Sequence, residues 1–153
     1  MGRVLALDLG ARRTGVAVSD PLRITARPLT VLEIDETVPL VAEVARLVFE
    51  TAAEIVVVGL PVLPSGDLGD QAREVAAFVA LLEPAIGVPV VLWDEAYSTV
   101  EAQERRLERG GRSRAARRAV DAEAAAVILE SWLDADGGAR GASGVNGDPW
   151  PPP

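Results

Sequence analysis

Four acidic residues sit where a folding chain seldom places acids. Asp8 interrupts the apolar run Val4-Leu5-Ala6-Leu7, just before Leu9-Gly10. Asp94 and Glu95 close the apolar run 88–93, and Asp121 heads a stripe formed with Ala124, Ala125, Ile128, Leu129 and Trp132. A carboxylate in a core-type segment is costly to desolvate unless it is paired, hydrogen-bonded or bound to a cation. Cation ligation is the chemistry common to all four. Each also has a plainer reading. Asp8 could cap the turn between Gly10 and Gly15. Asp94 and Glu95 could favour the positive end of a following helix, and Asp121 could pair with Arg117 or Arg118 one turn earlier.

The residue types that are missing narrow the chemistry. The chain has no histidine, no cysteine and no lysine, so all fifteen basic residues are arginine. That removes Ser-His-Asp and Cys-His hydrolysis, His- or Cys-ligated zinc, lysine Schiff bases and the phosphate-cradling lysine of nucleotide-binding loops. Carboxylates, Tyr97 and metal-activated water remain. An oxygen-only donor set suits Mg²⁺ or Mn²⁺.

The net charge of −8 argues against a general nucleic-acid binder and leaves room for a local basic patch. Seven arginines fall between positions 105 and 118. Those at 105 and 112 have glutamates four residues before them, the spacing of ion pairs on a helix. Arg114, Arg117 and Arg118 instead open a helix, where the macrodipole disfavours cations. A phosphate backbone would offset that cost through guanidinium contacts. With Arg112 and Arg13, they are the candidate nucleic-acid contacts.

Elements that could position these side chains are legible from periodicity. Val-, Ile- and Leu-rich runs predict strands at 3–9, 15–20, about 26–34, 54–60 and 88–93. Apolar residues at helical spacing predict helices over 38–52 and 68–83, the second ended by Pro84. A third helix is expected from Ser98 or Thr99 to Gly110-Gly111, and a fourth, alanine-rich, over 114–134. Three strands joined by short turns, then α-β-α-β-α-α, predict an α/β fold with a mixed five-stranded sheet flanked by helices. The first strand is expected at its centre.

One domain over 1–135 has the length and the 49% apolar content to build a core. Residues 136–153, rich in Gly and ending in three prolines, are expected to form a flexible tail. No apolar run approaches a membrane span, and no signal peptide is expected at the start. A cytoplasmic protein is the resulting expectation.

Several motifs together resemble the YqgF (RuvX) family of RNase H-like nucleases, named as Holliday-junction resolvases or pre-16S rRNA nucleases. They are Leu7-Asp8-Leu9-Gly10, Arg13-Thr14-Gly15-Val16-Ala17-Val18-Ser19-Asp20, Ala26-Arg27-Pro28-Leu29 and Val58-Gly59-Leu60-Pro61. Asp94-Glu95, Tyr97-Ser98-Thr99-Val100-Glu101-Ala102 and the segment from Asp121 to Glu130 follow in the family's order. The resemblance spans about residues 3–134. The chain departs from it at Ala96, where the family carries arginine, and in having arginines where lysines are common ahead of Asp121. The resemblance implies an RNase H-like fold, with Asp8, Glu95 and Asp121 as a catalytic acidic triad holding one or two Mg²⁺ or Mn²⁺ ions. It implies a nucleic-acid substrate, either pre-rRNA or branched DNA, for a monomer or a homodimer. A binder without catalysis on the same fold is a further alternative. So is a nucleotide-binding fold of the actin and sugar-kinase type, although its two-domain architecture exceeds this length.

Overall fold

The computed structural model describes residues 2–60, 69–94 and 114–137. The Val- and Leu-rich runs form five strands: β1 (Val4–Leu9), β2 (Thr14–Ser19), β3 (Ala26–Leu32), β4 (Ile55–Leu60) and β5 (Val90–Asp94). Three helices are described: α1 (Thr37–Thr51), α2 (Asp70–Ile86) and α3 (Arg114–Trp132), the last running into a π turn at Leu133–Gly137. The sheet order is β3-β2-β1-β4-β5. Strands β1, β2 and β3 pair antiparallel, whereas β4 joins β1, and β5 joins β4, in parallel. The architecture is thus the mixed five-stranded α/β sheet expected, with β1 central.

A central strand is covered on both faces, which is why β1 reads as a continuous apolar run. Leu5, Leu7, Val16, Val18, Val56 and Val58 pack with Val44, Leu47 and Leu82 of α1 and α2. The alternate row, Val4, Ala6, Ala17, Ile55 and Val57, packs with Ala125, Ile128, Leu129 and Trp132 of α3. The stripe read from the sequence of α3 is therefore the face that meets the sheet. Alanines on both sides of that interface let the helix lie close.

Two helix ends show how the chain turns. α2 continues through Pro84 to Ile86, three residues past the expected end. Proline removes one N–H from the ladder, the one that would donate to the Ala80 carbonyl, and the helix closes within the next turn. Gly87, at φ 68°, then ends the helix in the left-handed conformation. α1 ends in the same way on Ala52, at φ 55°, whose N–H donates to the Phe49 carbonyl. The expected helix after Ser98 and most of the expected tail lie outside the described residues. Among the described residues, no helix is long and apolar enough to cross a membrane.

Candidate active site

Asp8 belongs to the row of Val4 and Ala6, so its side chain lies on the α3 face of the sheet, half-buried at the end of β1. Its register partner across the antiparallel ladder is Gly15 of β2. Directly opposed residues in such a pair have Cα atoms about 5 Å apart.

Gly15 is where α3 lands. A Cβ built on it would sit 1.9 Å from the carbonyl oxygen of Asp121 and 2.5 Å from its carbonyl carbon. Both are backbone atoms, which cannot swing aside. The absence of a side chain at 15 therefore lets the helix bring Asp121 over the strand beside Asp8. In the sequence Gly15 reads only as the start of a strand. A glycine inside a strand pattern, two residues from an alanine on the same face, was the available sign of a close backbone approach.

Asp121 lies at the head of the buried stripe, its side chain 28% exposed. Its partner is Arg13, from the β1–β2 turn, with Nε 2.9 Å from Oδ2. The plainer reading of an ion pair with Arg117 or Arg118 fails for Arg118. Arg118 instead turns to the edge strand, with Nη1 3.2 Å from Glu33 Oε1 and Nη2 donating to the Val31 carbonyl at 3.5 Å. Although Arg13 is close, its N–H is not directed at Oδ2: that oxygen is buried and accepts no hydrogen bond. The pair is a charge contact without the alignment of a strong hydrogen bond.

The turn holds the Arg13 backbone. Its carbonyl accepts the Gly10 N–H at 2.9 Å, and a Cβ on Gly10 would lie 2.7 Å from that carbonyl oxygen. Gly10 thus sets the position from which Arg13 reaches Asp121.

Asp94 falls on the other row. Val91 and Trp93 pack on the α3 side, and Trp93 Nε1 donates to Ser131 Oγ of α3 at 3.0 Å. Strand alternation puts Asp94 with Val90 and Leu92, toward α1 and α2. The alternation of β5 thus sets Asp94 on the row away from Asp8 and Asp121. Glu95 and Arg112 lie outside the described residues. Arg114 and Arg117 have their backbone in the first turns of α3. Among the described residues, no three acidic or other metal-ligating side chains come together. What the fold assembles is the pair Asp8 and Asp121, with Arg13 between turn and helix.

The family model for RuvX, described as Holliday junction resolvase, matches residues 2–135. The chain belongs to this family. Similar proteins include one from Anaeromyxobacter sp. (strain Fw109-5), named "Putative pre-16S rRNA nuclease". It is 46% identical over 132 residues, covering 86% of this chain and 96% of the relative. One of the same name from Roseiflexus sp. (strain RS-1) is 38% identical over 133 residues, covering 87% and 94%. Among solved structures, RuvC of T. thermophilus in complex with Holliday junction substrate superposes with a TM-score of 0.59 at 17% identity, covering 88% of this chain and 96% of that one. The fowlpox virus resolvase bound to Holliday junction DNA gives 0.53 at 10% identity, covering 87% and 97%. At those identities the likeness establishes the fold, which is RNase H-like.

Proposed function

We propose that this nuclease hydrolyses phosphodiester bonds in structured nucleic acid with the help of a divalent cation held by Asp8 and Asp121, with Glu95 as the third ligand. The observation that carries this reading is the Asp121 carboxylate: it is set on the α3 face beside Asp8, with a buried oxygen that accepts no hydrogen bond. A buried oxygen of that kind is unusual in a folded protein unless something absent completes it. Two oxygen-donor side chains from a central strand and a helix, in a chain without His or Cys, fit Mg²⁺ or Mn²⁺. When bound, such an ion supplies an activated water and stabilises the departing oxygen.

The protein's own residues have distinct parts in this arrangement. Asp8 is held rigidly by the central strand, buried on both faces up to Leu7. Asp121 is carried by a helix that Gly15 allows to sit close. Rigid carriers of this kind fix a reacting geometry better than loops do. Arg114 and Arg117, with their backbone in the first turns of α3, would meet the phosphate backbone together with Arg112. Arg118, though partly committed to Glu33, sits on the same first turns.

The substrate we favour is the precursor of 16S rRNA at its 5′ end, following the names of relatives 38–47% identical over most of the chain. Branched DNA is the second reading, favoured by the family description and by the resolvase fold. The protein would act in the cytoplasm. A cleavage assay on an rRNA precursor, matched single strands and four-way junctions, with Mn²⁺ or EDTA, tests both. Cleavage that needs Mn²⁺ and falls at least about 100-fold in Asp8→Asn is expected. Equal cleavage by Asp8→Asn would refute the site. Silence of the parent on every substrate would instead favour a binding role.

A further inference from the structure

We propose that Arg13 is a built-in stand-in for the cation. It neutralises Asp121 in the metal-free protein and is displaced from Oδ2 when a divalent ion binds. The inference rests on the reading of Asp8 and Asp121 as cation ligands and adds a residue that regulates the same site.

A structural ion pair that merely pinned the turn to α3 would be expected to present the guanidinium fork squarely to the carboxylate. Here Nε lies 2.9 Å from Oδ2, and its hydrogen is not aimed at that oxygen. The positive charge is thus delivered to Oδ2 without the bond that would make it hard to remove.

Exposure points the same way. The Arg13 side chain is about 30% exposed, so it has water to swing into when it leaves the carboxylate. A divalent ion brings twice the charge in a smaller volume and satisfies the buried oxygen directly. Meanwhile the turn fixes the Arg13 backbone through the Gly10 N–H, leaving the long side chain to move alone. Without a positive charge beside it, the half-buried Asp121 carboxylate would be left uncompensated. Arg13 therefore lets the site exist, ordered, before the metal arrives.

Calorimetric titration of Mn²⁺ into the parent, Arg13→Gln, Arg13→Lys and Asp8→Asn tests the exchange. Removing the competitor should tighten Mn²⁺ binding about fivefold in Arg13→Gln, equivalent to roughly 1 kcal/mol. Arg13→Lys, which keeps charge but not shape, should fall between that variant and the parent. In EDTA, Arg13→Gln should melt below the parent, since the Asp121 carboxylate loses its counter-charge. The Arg13 Nε–H resonance should shift when Mg²⁺ is added to the parent. Unchanged or weaker Mn²⁺ binding in Arg13→Gln, with binding lost in Asp8→Asn, would overturn the role of Arg13 alone. A resonance that does not respond to saturating Mg²⁺ would overturn it as well. Mn²⁺ binding unaffected by Asp8→Asn would overturn the site itself.

Discussion

Replacing Gly15 by alanine adds one methyl group and should cost this protein more than most core truncations of similar size. The new Cβ would lie 1.9 Å from the Asp121 carbonyl oxygen, a backbone atom of α3. Restoring ordinary contact requires the helix to retreat by about 1.5 Å. Ala125, Ile128 and Leu129 would then lose part of their packing against Ala6, Ala17 and Val57. Overpacking of this kind typically costs 1–3 kcal/mol, and an immovable neighbour places Gly15→Ala near about 3 kcal/mol. The melting temperature should fall by roughly 10 °C. The sign is diagnostic, because alanine in an unobstructed strand would be favoured over glycine by roughly 0.5–1 kcal/mol. The same retreat moves Asp121 away from Asp8, and a displacement of about 1 Å at a reacting centre can cost on the order of 100-fold in rate. Thermal melts by circular dichroism, Mn²⁺ calorimetry and cleavage below the melting range would measure all three effects. A Gly15→Ala protein that melts at or above the parent temperature and binds Mn²⁺ equally well would refute the close approach of α3 and the positioning argument with it.

Other consequences follow from the same packing. Ala52→Gly should stabilise the protein by about 1 kcal/mol, read from chemical denaturation, because Ala52 holds a left-handed conformation at φ 55° that costs alanine and not glycine. Leu129→Ala, at a fully buried position on α3, should cost about 2–5 kcal/mol, whereas Phe49→Ala, 87% exposed on α1, should change stability by less than about 0.5 kcal/mol. Asp20 accepts backbone N–H groups from Ile24 and Thr25 at 2.7 Å each and from Leu22 at 3.2 Å, and the Thr25 N–H above all holds its carboxyl below the ordinary value. A depressed pKa contributes stability above the ordinary carboxylate value and loses it as pH falls through the lowered one. The stability gap between the parent and Asp20→Ala should therefore be full at neutral pH and shrink from about pH 4 downward. A gap of constant size across that range would contradict the bonding of this loop.

Among the described residues, the sequence by itself determined which segments are strands and helices, and which side of each is buried. Periodicity records burial directly: the unbroken apolar run of β1 marks a strand covered on both faces, and the stripe from Asp121 to Trp132 marks the face of α3. It also determined the available chemistry, since a chain without His, Cys or Lys has only oxygen donors to offer a metal. It misjudged Pro84, because a proline near a helix end removes a bond without breaking the helix. Which side chains meet was decided by the tertiary structure. Asp121 pairs with Arg13, more than one hundred positions away in the chain, and Arg118 is drawn off to Glu33, just past the edge strand. Asp94 and Asp121 lie on opposite faces because strand alternation ties Asp94 to Leu92, and Trp93 to α3. Gly15 acquires its meaning only once α3 is laid across β2. The physical reason is common to all of these. Burial is a property of a residue within its own element. Partnership depends on sheet order, register and helix placement, which the whole chain settles together.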